Sequence, residues 1–203
     1  MRVLNSPSTV VLSALLSVTR MSGRKHFDSN VYGAISGSVV YRTGQVCSNR
    51  NTSAFSAKDG CTVDGVGFAV VDTSRKYPFN QFTELELYGR FGYIDNITSS
   101  TVIFPPLNAF PCLNMLVMPP SCVQTPHCHP SLRVGMVVDG KGVCVTKTRM
   151  HRLRCGDVFA IHADEVHNFV VGKKSAMTLV TYHPHARGPT SDENIILENA
   201  FFK

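Results

Sequence analysis

The feature that most constrains the fold is a succession of short β-type segments separated by turn signals in the second half of the chain. No stretch of ten or more residues there shows the apolar period of a helix. The predicted strands are Met115–Met118, Leu132–Val138, Val143–Thr148, Val158–Ile161, His167–Val171 and Ala176–Tyr182. Short strands at such close spacing pack as a sandwich or a barrel, so we expect an all-β fold.

Glycine-containing turn signals separate these strands. Asp139-Gly140-Lys141-Gly142 predicts a tight turn between two strands, and Arg154-Cys155-Gly156-Asp157 predicts another. Beyond the last strand, the pattern over Asp192–Asn199 is compatible with a short helix.

The composition changes near Gly67. Residues 28–66 are rich in Gly, Ser, Asn and Thr, which predicts an irregular extension with one strand at Ser38–Tyr41. Apolar and alternating segments follow at Phe68–Val71, Thr83–Tyr88 and Thr101–Phe104. The sequence therefore predicts one barrel over residues 67–187, followed by a tail over residues 188–203.

Residues 1–27 form a segment without acidic residues. An apolar run, Val10–Val18, lies between Arg2 and Arg20 and is too short to span a bilayer. This Ser- and Arg-containing composition is typical of an organelle transit peptide, which would imply a mitochondrial location. The alternative is a disordered or loosely docked N-terminus of a cytoplasmic protein, and neither alternative predicts a membrane protein.

The charge balance is basic but does not indicate nucleic-acid binding. The chain has 20 Lys and Arg against 14 Asp and Glu, a formal net charge of +6, yet it has no basic run, no Trp and no nucleic-acid motif. Its seven cysteines are an odd number without a C-x-x-C pair, which disfavours a disulfide framework or a zinc ribbon. We expect reduced thiols that are mostly buried.

The chemistry-bearing feature is a set of histidines. His127 and His129 are two residues apart, so both side chains point to the same face of a strand. His167, on a later antiparallel strand, can supply a third imidazole. Three neutral imidazoles can hold iron, nickel, copper or zinc, and the alternative is a set of inward histidines satisfied by hydrogen bonds.

The spacing of these residues resembles the cupin superfamily. The first cupin motif ends in His-x-His, three or four residues, Glu, six residues and Gly, and here His127-Cys128-His129 leads to Arg133 and then Gly140. The second motif begins with Gly and five residues and reaches a His after a Pro-x-Gly turn. Here Gly156 leads to His162-Ala163-Asp164 and then to His167. The resemblance implies a single cupin-type double-stranded β-helix, or jelly roll.

The chain departs from both motifs. Ser121 replaces the opening Gly of the first motif, and the second has His162 for Pro, Asp164 for Gly and Val171 for Asn. In the first motif, Arg133 replaces the Glu that is usually a fourth ligand. A guanidinium beside three imidazoles lowers the affinity for a metal cation and favours an anionic ligand, because Arg matches a carboxylate in a bidentate way.

The end of the predicted barrel, Tyr182-His183-Pro184 followed by Gly188-Pro189-Thr190, also resembles a group of small single-domain, quercetin-dioxygenase-like cupins. This resemblance makes Arg133 a feature of the group and brings no established reaction with it. The leading hypothesis, by analogy with cupin thiol dioxygenases that use a three-His site, is a mononuclear metal dioxygenase. His127, His129 and His167 would bind one divalent ion, Fe(II) before Zn, Mn or Ni. Arg133 would be the catalytic-site anchor of a small anionic substrate.

Two other functions remain open. One is a Zn, Mn or Ni cupin isomerase or decarboxylase. The other is a non-catalytic small-molecule-binding or sensor protein in which Arg133 displaces the metal. For Arg133 itself, the alternative to a substrate anchor is a structural ion pair with Asp164 or Glu165. An open sheet edge in this fold would also allow a homodimer.

The remaining candidates receive structural roles. Cys128 alternates outward from its two histidine neighbours, so we expect a packed thiol. His162, His183 and His185 are interpreted as surface or rim residues, with the alternative that one of the last two faces the pocket.

Overall fold

The computed structural model describes residues 1–4, 8–74, 79–105, 110–186 and 201–202. Apart from a 3-10 turn at Ile94–Asn96, the regular structure in these ranges is β-strand, which confirms the predicted all-β class. No helix in the described ranges is long and apolar enough to cross a membrane.

The strands of the first half are β1 (Arg2–Leu4), β2 (Thr9–Ser13), β3 (Leu16–Phe27), β4 (Val31–Tyr41), β5 (Val46–Ala57), β6 (Cys61–Asp72) and β7 (Gln81–Glu84). The strands of the second half are β8 (Phe91–Gly92), β9 (Thr98–Ile103), β10 (Phe110–Met118), β11 (His127–Cys128), β12 (Arg133–Thr146), β13 (Met150–Arg154), β14 (Val158–Ile161), β15 (His167–Val170), β16 (Met177–Ala186) and β17 (Phe201–Phe202).

The chain divides into two compact units. The N-terminal unit comprises Leu4–Leu85, and the C-terminal unit comprises Glu86–Lys203 with Met1–Val3. The predicted barrel start at residue 67 is therefore wrong, because β6 carries Gly67 and belongs to the sheet of the N-terminal unit.

The N-terminal unit is an antiparallel sheet in the order β2-β3-β6-β4-β5-β7. The prediction of irregular structure over residues 28–66 is wrong, although its single expected strand, Ser38–Tyr41, lies within β4. The central strand β6 pairs along its whole length with β3 on one side and along nearly all of it with β4 on the other. These ladders satisfy backbone groups that a Gly- and Ser-rich sequence would otherwise leave to water.

The described part of residues 1–27 also forms strands in this structure. Within β3, Val18, Met21 and Phe27 are buried. The alternative of a disordered or loosely docked terminus is therefore contradicted over this strand. The proposed transit peptide concerns processing and stays a prediction.

The C-terminal unit is built from antiparallel strands that curve around an apolar interior. Its longest path runs β17-β11-β15-β12-β16-β10-β9-β8, while β14 pairs with β12 and with β1. The buried core includes Leu116, Val137, Phe159, Phe169 and Leu179. Leu116 lies directly opposite Leu179 in the β10–β16 register, and Met118 lies opposite Met177.

Strand β12 continues without a chain reversal through Asp139–Gly142, where the sequence predicted a tight turn. Its first half pairs with β14 and β16, and its second half pairs with β13 and β15. The register shifts between Val137 and Asp139, and Gly140 has φ of +74°. The glycine signal therefore marks a bend within one strand, which turns the strand from one side of the barrel to the other. The chain reverses instead between Thr146 and Arg149, where Thr146 N–H donates to the Arg149 carbonyl over 2.8 Å.

The helix predicted at Asp192–Asn199 lies outside the described residues. At the end of the chain, β17 is described as a strand that pairs with β11.

Candidate metal centre

The three histidines singled out by the sequence lie together inside the C-terminal unit. His127 on β11 and His167 on β15 are direct partners in an antiparallel register, and His129 follows two residues after His127. One ligand nitrogen from each of the three lies within 4.8 Å of the others. The rings are 4.7–5.2 Å apart between centroids. We call these three residues the histidine triad.

Backbone carbonyls fix the orientation of two triad rings. His127 Nδ1 lies 2.9 Å from the Thr125 carbonyl oxygen, and His167 Nδ1 lies 2.8 Å from the Glu165 carbonyl oxygen. A carbonyl only accepts, so each Nδ1 carries the proton and donates it. The lone pair is then on Nε2, which is the arrangement by which metal-binding histidines are usually held.

Burial keeps these imidazoles neutral. His127 and His167 are each 2% exposed. Burial, with a smaller contribution from the positive charge of Arg133, lowers the pKa of His167 to about 4. Burial likewise lowers the pKa of His127. Near pH 7 both rings therefore retain the lone pair that a metal ion requires.

The geometry fits one metal ion after a small adjustment. Histidine–metal bonds of about 2.0–2.2 Å place the ligand atoms of one ion about 3–3.5 Å apart. The triad nitrogens lie up to 4.8 Å apart, which is somewhat more than this separation. Modest rotations of the rings would therefore bring all three nitrogens within bonding distance of one ion. Inward, buried, uncharged nitrogen ligands of this kind can hold a divalent transition metal.

The loop of the second motif is attached to the backbone of the triad. Asp164 N–H donates to the His129 carbonyl over 2.8 Å. Asp164 has φ of +58°, in the left-handed region that favours glycine and tolerates Asp better than most residues. This conformation explains why a Gly is usual at this position, and why Asp can replace it.

Arg133 is buried beside the triad, with 2% of its surface exposed. Its Nη1 donates to the Ser131 hydroxyl over 2.7 Å, to the Ser131 carbonyl over 3.1 Å and to the Leu132 carbonyl over 3.2 Å. Burial lowers the pKa of Arg133 to about 10, so it remains charged at neutral pH. Its charge in turn lowers the pKa of both His127 and His167.

The predicted ion pairs of Arg133 are not among the contacts of the described residues. The Glu165 carboxylate instead contacts the amino group of Met1 and accepts from His162 N–H over 3.1 Å. Asp164 is an exposed residue of the loop, whereas Arg133 lies in the interior.

The triad and Arg133 border one small cavity. The space open to the centre of a water molecule is about 30 Å³, room for roughly two waters. Most of its lining residues outside the triad carry no charge, whether they are apolar or polar. These lining residues are Tyr93, Leu116, Met118, Gln124, Arg133, Phe159, Ile161, Phe169, Thr181 and His183. Arg133 is thus the charged side chain among the described lining residues.

The main interpretation of His183 as a surface or rim residue is wrong, and the alternative that one of His183 and His185 faces the pocket is confirmed for His183. His183 is 4% exposed, and its ring centroid lies 6.4 Å from that of His129. The signal was alternation along β16, where Leu179, Thr181 and His183 share the inward face. Pro184 concealed this signal, because a proline usually ends a strand, yet β16 continues to Ala186.

The other assignments from sequence can be compared directly with the structure. Cys128 is a buried free thiol, as predicted, and six of the seven cysteines are buried or half-buried while Cys155 is exposed. His162 and His185 are exposed, in agreement with their interpretation as surface or rim residues.

Comparison with known protein families finds a match for the part of the chain that carries the triad. Residues 120–200 match the model of the AraC-like ligand binding domain. The fold also matches a cupin 2 conserved barrel domain protein from Leptotrichia buccalis, with a TM-score of 0.57 and 12% identity over 89% of this chain and 88% of that one. The chain therefore has the fold of a cupin-type β-barrel.

Two further solved structures resemble the chain in fold. AerE from Microcystis aeruginosa has a TM-score of 0.59 and 12% identity, over 87% of this chain and 95% of that one. A salicylate 1,2-dioxygenase from Pseudaminobacter salicylatoxidans has a TM-score of 0.60 and 8% identity, over 84% of this chain and 71% of that one. At such identities these likenesses concern the fold. Comparison with curated protein sequences gives no match.

Proposed function

We propose that this cupin is a mononuclear metal-dependent dioxygenase that acts on a small anionic substrate. The observation that carries the proposal is the histidine triad, whose three ligand atoms converge within 4.8 Å at a buried cavity. A metal held there, with Fe(II) preferred over Zn, Mn or Ni, would supply open coordination positions for redox chemistry with dioxygen.

The residues of the chain supply orientation and charge at this site. The carbonyls of Thr125 and Glu165 hold two imidazoles with Nε2 available to the ion. Apolar side chains such as Leu116, Ile161 and Phe159 border the cavity and limit its access to water. A cavity with so little room for water strengthens electrostatic interactions with the substrate.

Arg133 is the proposed anchor of the substrate anion. Its side chain borders the cavity, stays charged at neutral pH and has neutral hydrogen-bond partners in Ser131 and Leu132. The cavity of about 30 Å³ limits the reacting part of the substrate to a few atoms. Larger substrates would require the lining side chains to move.

Metal content and oxygen consumption test this proposal together. Protein purified without a histidine tag is analysed for metals beside His129→Ala, and both proteins are then loaded with Fe(II) and given candidate thiols, flavonols and small carboxylates. We expect one ion per chain in the wild type, less than one tenth of that in the variant, and oxygen uptake by the wild type alone. Equal trace metal in both proteins and no uptake with any candidate would contradict the proposal.

A second function is favoured by the match to the AraC-like ligand binding domain over residues 120–200. In this alternative the cavity binds a small anion through Arg133 without catalysing a reaction. The metal comparison above separates the alternatives, because a metal-free binding protein would show no metal difference between the wild type and His129→Ala.

A further inference from the structure

His183 is a buried polar residue of the cavity that the triad does not use. It lies on the inward face of β16 and borders the same cavity as Arg133. Its ring lies 6.4 Å from the ring of His129, outside the group of converging ligand atoms. A histidine that is 96% buried without binding a metal requires another reason to face a cavity.

A chain of side-chain hydrogen bonds fixes the tautomer of His183. On the neighbouring strand β10, the Cys112 thiol donates to Asn114 Oδ1 over 3.8 Å. Asn114 Oδ1 is therefore the acceptor, and Asn114 Nδ2 donates to His183 Nε2 over 3.4 Å. Because Nε2 accepts a hydrogen bond, the proton of the neutral His183 ring is on Nδ1.

The Nδ1–H group of His183 has no acceptor among the described residues, since Asn114 is its single described hydrogen-bond partner and this contact uses Nε2. This donor faces a cavity with room for water, so a ligand that offers an acceptor would take the place of a water at this position. The cavity is the place from which such an acceptor can approach, because His183 forms part of its wall.

The arrangement of the cavity suits a planar anion. Arg133 supplies positive charge, His183 supplies an N–H donor, and the described lining residues include no Asp or Glu. The histidine triad presents lone pairs, which attract a metal rather than an anion. The small volume excludes bulky phosphate esters and accommodates a group of about three atoms.

We propose that His183 is a second binding residue for the substrate, that Asn114 is the positioning residue that fixes its tautomer, and that the substrate is a small carboxylate. One carboxylate group would accept hydrogen bonds from Arg133 and His183 while the rest of the molecule faces the triad. This inference rests on the proposed function for the identity of the bound molecule as substrate, but the binding site itself does not require the metal.

The binding test uses formate and metal-free protein. Formate is the smallest carboxylate, and formamide is a neutral molecule of the same size. We expect the wild type to bind formate and to bind formamide at least tenfold more weakly. NMR titration measures both affinities. His183→Phe and Asn114→Asp should each lose at least tenfold in formate affinity. His185→Phe, which changes the exposed histidine on the same strand, should stay within twofold of the wild type.

The tautomer is measured independently of any variant. In wild-type protein the nitrogen chemical shifts of the His183 ring should show a protonated Nδ1 and an unprotonated Nε2. In Asn114→Asp the new carboxylate accepts from Nε2–H, so the proton should move and leave a lone pair on Nδ1. Because a purely structural role for Asn114 would not move this proton, the shifts distinguish positioning from packing.

The outcomes separate this inference from the proposed function. Absence of formate binding, unchanged affinity in His183→Phe, or a proton on Nε2 in the wild type would each overturn the inference. None of these results bears on metal content. Conversely, formate binding through His183 in a protein that takes up no metal would uphold the anion site and refute the dioxygenase.

Discussion

The bend in β12 at Gly140 joins the two halves of the candidate site. Before the bend, β12 begins with Arg133, and after it Thr146 pairs with His167. The replacement Gly140→Ala therefore tests whether this bend depends on glycine. A Cβ at residue 140 would lie 2.0 Å from the carbonyl oxygen of Ala176, a backbone atom that cannot rotate away.

Two effects set the expected size of the change. Holding Ala at φ of +74° costs about 1–2 kcal/mol relative to glycine. Relieving the contact with Ala176 requires a backbone shift that costs about 1–3 kcal/mol. We therefore expect Gly140→Ala to lower the free energy of unfolding by about 2–5 kcal/mol and Tm by about 4–20 °C.

Gly172→Ala is the matched control. A Cβ at Gly172 meets no atom within 4 Å, so this variant should stay within about 0.5–1 kcal/mol of the wild type. Urea unfolding of both variants measures the difference, with far-ultraviolet circular dichroism as the signal. If Gly140→Ala is as stable as Gly172→Ala, glycine is not required at the bend and the interpretation of β12 is wrong.

Three further predictions follow from particular residues. Arg133→Glu should raise the affinity for Zn²⁺ or Fe²⁺ at least tenfold, measured by competition with a chelator, because a carboxylate replaces a cation beside the triad; unchanged affinity would place residue 133 too far away to matter. Asp164→Val should lower the free energy of unfolding by about 1–2 kcal/mol, whereas Asp164→Gly should change it by less than about 1 kcal/mol, since φ at this position is positive; equal values would show that the loop relaxes. In native protein Cys155 should react with a thiol reagent faster than the buried Cys112 or Cys128, and peptide mass analysis that finds either of these labelled first would contradict the described burial.

The candidate triad could be predicted because it depends on local periodicity. Two residues of separation place His127 and His129 on one face of an extended segment whatever the rest of the fold does. His167 followed from the resemblance of the Gly156–His167 spacing to the second cupin motif. The convergence of all three then needs only the antiparallel register of β11 and β15.

The N-terminal sheet could not be predicted because its stability comes from pairing across long distances in the sequence. A glycine such as Gly67 usually weakens a strand. Here a Cβ at residue 67 would lie 2.0 Å from the Ala34 carbonyl oxygen, so the close approach of β4 and β6 requires a residue without a Cβ. Single-sequence reasoning identifies such glycines as loop residues, because the partner strand is not visible from local sequence.

The bend at Gly140 and the burial of His183 were missed for related reasons. Gly and Pro usually interrupt regular structure, so Asp139-Gly140 indicated a turn and Pro184 indicated a strand end. In both cases the strand continues because neighbouring strands hold it on either side of the interruption. His183 could be placed beside the triad only when the structure showed that β16 continues to Ala186.

The central claim is that the three histidines bind one metal ion, and diffraction at the absorption edge of iron tests it most directly. Crystals of protein loaded with Fe(II) should show one anomalous peak per chain, within bonding distance of Nε2 of His127, His129 and His167. No peak at the triad, or a peak held by other residues, would contradict the account.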